Sequence, residues 1–250
     1  MILEKNLFGE VKGNKSYVIK FIFILFFCLL LLFLLYSIIP TLLIRIGGIG
    51  ITKKMKRKNG IALTFDDGPN PKYTLELLDL LKQYGIQATF FVVGRKVVQN
   101  PEIIKRMHQD GHTIGIHHFN HISSWILSPF HLRKQLKMTE KVIIDCTNER
   151  VSFYRPPWGH FNIFTPMLSK RFNIIMWSHI FGDWKVENCK HTLLDQLRTA
   201  TTPGSILLLH DCGETMGADE NAPEYMIKNL EIFLDECKKQ GTTFITLKDI

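Results

Sequence analysis

From Phe21 to Ile44 the chain carries no charged side chain, and the section Phe21 to Tyr36 reads FIFILFFCLLLLFLLY, apolar on every face of a helix. Such a helix has no stripe to turn toward water, so it must be enclosed by protein or by lipid. At 1.5 Å per residue, Phe21 to Ile39 would span roughly 28 Å, close to the thickness of bilayer hydrocarbon, with Pro40 as a natural end point. The run exceeds the ~7 to 15 residues of a signal-peptide core and no small-x-small site follows it, so an uncleaved membrane anchor is expected. Lys5, Lys12, Lys15 and Lys20 precede the span, and Arg45, Lys53, Lys54, Lys56, Arg57 and Lys58 follow it. Counting them does not fix its orientation. The expected division is a basic tail at 1–20, a transmembrane anchor at 21–44, a basic linker at 45–59 and a globular domain at 60–250. Even fully extended, a linker of about 15 residues reaches only roughly 50 Å, which keeps the domain near the bilayer.

Charge follows the same division. Residues 1–58 hold 10 Lys/Arg against 2 Asp/Glu, whereas residues 59–250 hold 21 of each, so the net +8 belongs to the anchor region. The basic stretch Lys53 to Lys58 reads as a contact with anionic headgroups, and no nucleic-acid role is expected of a formally neutral domain. The five cysteines, at 28, 146, 189, 212 and 237, form no CxxC pair. They do not read as a zinc site; Cys28 falls in the membrane run, and the other four read as small buried hydrophobes, with pairing in an oxidising compartment as the alternative.

Beyond Gly60, short apolar runs alternate with longer helical patterns. Strands are expected at Ile61–Phe65, Ala88–Val93, Thr113–His117, Ser152–Arg155, Ile174–Ser178, Ser205–His210 and Thr243–Leu247. Helices are expected near Pro71–Tyr84, Pro101–Gln109, Pro129–Cys146, Thr165–Arg171, Leu193–Thr199 and Pro223–Gln240. That rhythm predicts an α/β fold, a distorted and incomplete (β/α) barrel of about seven strands. The residues best suited to chemistry fall at strand C-terminal ends, where such barrels keep their active sites.

Five stretches carry that chemistry. In Thr64-Phe65-Asp66-Asp67-Gly68-Pro69, adjacent carboxylates at a strand end can face different ways, one toward a metal and one toward a proton. In His117-His118-Phe119-Asn120-His121, two imidazoles four residues apart would share one side of a helical turn. One aspartate and two histidines make a three-ligand set that leaves positions for water and substrate. Arg155-Pro156-Pro157-Trp158-Gly159 fixes a guanidinium and an indole on a stiff segment. Gly182-Asp183-Trp184 and the buried strand ending in His210 complete the set.

Taken in order, TFDDGP, HHFNH, RPPWG, GDW and LLLH resemble the five motifs of the NodB-type polysaccharide deacetylases, carbohydrate esterase family four, over about Gly60 to Ile250. The resemblance implies metal-dependent removal of an acyl group, usually acetate, from an aminosugar. It implies Asp66 as catalytic base and Asp67, His117 and His121 as metal ligands. It further implies Arg155 as orienter of the base, Asp183 as the carboxylate holding that arginine, and His210 as general acid. Trp184 would wall the groove and Leu207 would line the acyl pocket. The metal would be one divalent ion, zinc by preference for two imidazoles and a carboxylate, with cobalt, nickel, iron and manganese fitting the same donors. Two positions depart from the pattern: His118 stands where Ser or Thr is usual, and Ile180 where an aspartate is usual.

Trp125, in the apolar stretch Ser123–Phe130 that would form a sugar-stacking or lipid-facing lip, and Trp158 are further candidate sugar contacts. The alternative for Trp125 is packing into the barrel top. Trp177 and the acidic loop Glu214 to Glu220 would either roof the site or be solvated. The expected partners are membrane lipid through 21–44 and a glycan, polymeric or lipid-linked, with no protein partner. The expected location is the cell membrane, single-pass, with the domain outside the cytoplasm. The competing functions are a deacylase or deformylase of a lipid-linked sugar or glycolipid, and a non-catalytic carbohydrate-binding protein on the same fold. An aspartate-nucleophile phosphohydrolase would leave the histidines unexplained.

Overall fold

The structure, a computed structural model, describes residues 2–56 and 60–249. Eight parallel strands form one sheet: β1 (Ile51–Thr52), β2 (Ala62–Asp66), β3 (Thr89–Val92), β4 (Thr113–Ile116), β5 (Phe153–Tyr154), β6 (Asn173–Ile175), β7 (His179–Ile180) and β8 (Ile206–His210). Their order is β1-β6-β5-β4-β3-β2-β8-β7, so the sheet curls into a barrel that stays open between β1 and β7. Strands such as β2 (ALTFD) and β3 (TFFV) are buried at every position. Unbroken apolar runs of this kind suit a parallel sheet covered on both faces.

Outside the barrel, Leu63, Phe65 and Phe90 pack against Leu77, Leu78 and Leu81 of α3 (Tyr73–Tyr84) and against neighbouring helices. Inside, Ala62, Phe91, Phe153, Ile175, Ile206 and Leu247 plug the floor. Above that floor, the inward positions of β2 and β8 are Thr64, Asp66, Leu208 and His210, paired across the sheet as Thr64 with Leu208 and Asp66 with His210. The alternation of side chains along a strand thus lifts two reactive groups to the barrel's C-terminal mouth.

The expected strand at Thr243–Leu247 is reduced to one bridge between Ile61 and Phe244. Both edges of β2 are taken by β3 and β8, which leaves no ladder for this segment to join. The two-residue strands β1 and β7 and the short helices α4 (Gly94–Gln99) and α8 (Val186–His191) were not expected. The longer helices fall where the pattern put them, at α5 (Pro101–Gln109), α6 (Pro129–Thr147), α9 (Leu193–Thr199) and α10 (Ala222–Gln240), with a single turn at α7 (Thr165–Leu168).

The N-terminal region differs most from expectation. Helix α1 (Ile2–Phe33) continues through a π-helical turn, Leu34–Ile38, into α2 (Ile39–Gly47), so Pro40 does not end it. Proline sits in the first turn of α2, where a missing N–H is tolerated. It cannot bond the carbonyl four residues back, and the Tyr36 carbonyl instead accepts from Ile163 N–H at 3.0 Å.

Of residues 45–59, expected as a linker, 57–59 lie outside the described residues and 45–56 depart from a free tether. They contain the last turn of α2, strand β1 against β6, a bridge from Lys54 to Ser205 and a buried Met55. The segment Ser16–Gly47 is long and apolar enough to cross a membrane. Its side chains are exposed from Ser16 through Phe33, and from Ser37 onward one face is buried against the domain.

That contact is polar and specific. Thr41 Oγ1 donates to the Phe161 carbonyl at 2.8 Å and accepts from Phe161 N–H at 2.9 Å and Trp125 Nε1–H at 2.8 Å. Ser37 and Tyr36 donate to the carbonyls of Trp125 and Leu127 at 2.8 and 2.6 Å.

Candidate active site

Asp66 ends β2, and one of its oxygens accepts from Arg155 Nη1–H at 2.6 Å. Arg155, immediately after β5, is wholly buried. Its guanidinium also donates to Thr64 Oγ1 at 2.9 Å and to the carbonyls of Ile175 and Met176 at 3.1 and 3.0 Å, and it lies 4.2 Å from the Phe91 ring. The carboxylate is thereby fixed, with its second oxygen 3.8 Å from His117 Nε2.

Asp67 turns the other way, its backbone in the left-handed region at φ 78°. Oδ2 accepts from Thr215 Oγ1 at 2.7 Å, while Oδ1 lies 2.9 Å from His121 Nε2 and 3.3 Å from His117 Nε2. Burial would raise this carboxyl, but the two imidazoles outweigh it and hold the group well below the usual carboxylate range. His117 Nδ1 lies 2.8 Å from the Arg155 carbonyl, which orients the ring so that Nε2 faces Asp67.

One carboxylate oxygen and two imidazole nitrogens lie within 4.8 Å of one another. Asp67 Oδ1 is buried and has no partner in hydrogen-bonding geometry. An orphaned carboxylate oxygen converging with two ring nitrogens fits a shared divalent cation, and the N₂O donor set suits zinc or another first-row metal.

His117 and His121 converge without the expected helical turn. The segment after β4 is irregular, with His118 and His121 at φ 60° and 52°. The irregular path sends His118 away from the cluster, where it is completely buried, stacks on Tyr154 and bonds the Ile122 carbonyl and the Tyr154 hydroxyl at 2.7 and 2.8 Å. Burial pushes its pKa down to about 3, so it is neutral.

Asp183 does not pair with Arg155, whose hydrogen bonds go to Asp66, Thr64 and two carbonyls, and holds His210 instead. Its two oxygens accept from His210 N–H at 2.7 Å and His210 Nδ1 at 3.0 Å. Burial would lower the His210 pKa; the charge and hydrogen bond of Asp183, with smaller contributions from Asp67 and Asp66, outweigh it and raise it to about 9. The imidazole therefore carries a proton at neutral pH.

These groups open into a cleft of about 370 Å³ lined by Asp66, Asp67, His117, His121 and His210, with Trp158, Trp177 and Trp184 on its walls. Leu208 lines it; Leu207, one residue earlier, points outward into the helix-covered core. A one-residue shift along a strand exchanges the two faces. Ile180, exposed on β7, also borders the cleft, and Thr215 to Ala218 roof it. Trp125 is not among the residues lining the cleft and packs at the barrel top instead. It stacks on His160 at 3.6 Å and bonds Thr41, closing the junction with α2. Trp177 and Thr215, the latter in the loop expected either to roof the site or to be solvated, both line the cleft.

The sequence profile described as Polysaccharide deacetylase matches residues 53–174. Over 199 residues the chain is 34% identical to the peptidoglycan-N-acetylglucosamine deacetylase PgdA of Listeria monocytogenes, covering 79% of this chain and 40% of that protein. The chain thus spans about two fifths of that relative's length. It is also 34% identical over 199 residues to the peptidoglycan-N-acetylmuramic acid deacetylase PdaA of Bacillus subtilis, covering 78% of this chain and 72% of the relative. The solved structure of PdaA, described as a family 4 carbohydrate esterase, superposes with a TM-score of 0.69 at 31% identity, over 82% of this chain and 86% of the other.

Proposed function

The chain belongs to the polysaccharide deacetylase family, and from that premise we propose that it hydrolyses the N-acetyl amide of an aminosugar in a cell-envelope glycan, with residues 60–250 as the catalytic domain. The observation that carries this reading is the meeting, in one open cleft, of a fixed carboxylate, a three-donor cluster and a protonated imidazole. The relatives' names support a cell-wall aminosugar as the substrate.

Asp67, His117 and His121 would hold one divalent cation, which supplies Lewis-acid polarisation of the amide carbonyl and of water when bound. Asp66 accepts the proton of the attacking water through the oxygen that Arg155 leaves free. Arg155 keeps that carboxylate aimed. His210 delivers a proton from Nε2 to the departing amine, its Nδ1 side being occupied by Asp183. Atoms balance: water gives hydroxyl to the acyl carbon, and the amine leaves carrying the proton from His210. Leu208 and Trp184 form an apolar wall suited to a methyl group, although one methylene discriminates by only about 1 to 3 kcal/mol.

The exposed helical stretch before Phe33 supports a membrane anchor, single-pass, with the domain outside the cytoplasm where such glycans lie. Ile126, Phe130, Ile163 and Met167, all exposed beside the junction, support a rim that rests on lipid.

The test is acetate and formate release by the full-length protein in detergent, metal-stripped and metal-restored, on polymeric and lipid-linked N-acylated aminosugars. Restored activity that is lost in Asp66→Asn, with bound metal retained, is the expected result. Glycan binding without release by the wild type would move the reading to a carbohydrate-binding protein.

A further inference from the structure

We infer that Arg45, delivered to the cleft by helix α2, is a substrate-positioning residue that binds an anionic group on the glycan; this rests on the deacetylase reading and names the substrate class it implies. Arg45 lies before the stretch that matches the family profile and in the last turn of α2. A cation at a helix C-terminus is ordinarily explained by the helix dipole alone. Three observations go further.

First, the side chain is half-buried and lines the same cleft as Asp66, Asp67 and His210. Among the described cleft-lining residues it is the only lysine or arginine. Second, it is held in place. Its guanidinium lies 5.4 Å from the centroid of Trp177, a ring that also has the Arg155 guanidinium at 5.8 Å. The preceding residue, Ile44, is buried in the core, and Thr41 is tied to Phe161 and Trp125. Third, its donors are unspent. Among the described residues no carboxylate pairs with it and no acceptor takes a hydrogen bond from its side chain; Lys53 bonds only its backbone carbonyl.

A planar, permanently charged fork with free N–H donors, braced on an aromatic ring, matches carboxylate and phosphate oxygens. The cleft therefore takes an aminosugar glycan that carries such a group. Its chemical source is either a carboxylate on the sugar or its appended peptide, or the phosphate of a lipid-linked saccharide.

The experiment uses full-length wild type, Arg45→Lys and Arg45→Gln in detergent micelles. The probes are a neutral N-acetylglucosamine tetrasaccharide, a peptidoglycan tetrasaccharide with free carboxylates, the same compound with its carboxylates amidated, and a lipid diphosphate-linked N-acetylaminosugar. Kinetics and calorimetric Kd are measured for each. The wild type is expected to favour one anionic probe over its neutral counterpart by about tenfold in kcat/KM, chiefly through KM, and in Kd. Arg45→Gln loses that preference and Arg45→Lys keeps part of it, and the arm affected identifies the source. A preference equal in wild type and Arg45→Gln, or no preference in the wild type, overturns the inference. A wild type that binds these probes with the expected preference and releases nothing sinks the deacetylase reading instead.

Discussion

Replacing Asp183 with Asn removes the charge that dominates the His210 environment while keeping its shape. His210 is raised from its ordinary value of 6.5 to about 9, against a burial effect of the opposite sign. At 1.36 kcal/mol per unit that difference is worth about 3 kcal/mol. Because the folded pKa is the higher one, this stability is fully present below about pH 6.5 and is lost as pH climbs through about 9. In Asp183→Asn the imidazole keeps its burial but only the weaker pull of Asp67 and Asp66, so its pKa falls to roughly 6 or 7.

Near pH 8 most of the wild type then carries the His210 proton, against roughly 1 to 10% of the variant, and the rate falls by about 10- to 90-fold. Near pH 5.5 both forms are mostly protonated and the loss all but disappears. Initial rates of acetate release between about pH 5 and 10, with the His210 Cε1 resonance followed by NMR, read both quantities. An Asp183→Asn enzyme whose alkaline limb stays within half a unit of the wild type would refute the assignment of Asp183 to His210 and of His210 to the proton donor.

Other substitutions probe the remaining parts. Arg155→Met strands the buried Asp66 carboxylate and three further acceptors, and should cost about 3 to 5 kcal/mol in urea unfolding; a cost under about 1 kcal/mol would show the pair to be dispensable. His118→Ser should destabilise by about 2 to 4 kcal/mol through two lost bonds in a buried site, yet leave metal content by mass spectrometry equal to wild type. Metal loss in that variant would make His118 a ligand. Thr41→Val leaves the N–H groups of Trp125 and Phe161 unpaired, for about 2 to 4 kcal/mol, and should expose the chain between α2 and β2 to protease while wild type resists. Asp67→Asn should abolish metal retention after dialysis, with folding preserved by circular dichroism.

The sequence carried the barrel and the convergence of its reactive groups because both rest on local chemistry. Asp66 and His210 end apolar strands, and parallel strands bring their ends to one rim. What it missed depends on register or on distant partners. Leu207 and Leu208 are equally apolar, and only the pairing of Leu208 with Thr64 says which one faces inward. Asp183 lies 28 residues beyond Arg155 and 27 before His210, and nothing in that spacing chooses its partner. His118 depends on a left-handed backbone that no non-glycine residue advertises. The stretch 45–59 looked like a tether because β1 has only two residues, too few to show alternation.

The bonded junction at Tyr36, Ser37 and Thr41 also decides how such a protein would search for glycan. With the span in a bilayer, the cleft cannot swivel on a leash. Its height and tilt would then be set by the helix, and encounters would come from lateral diffusion in a thin slab above the lipid. Glycan held in that slab meets the enzyme at a far higher effective concentration than glycan a few nanometres further out.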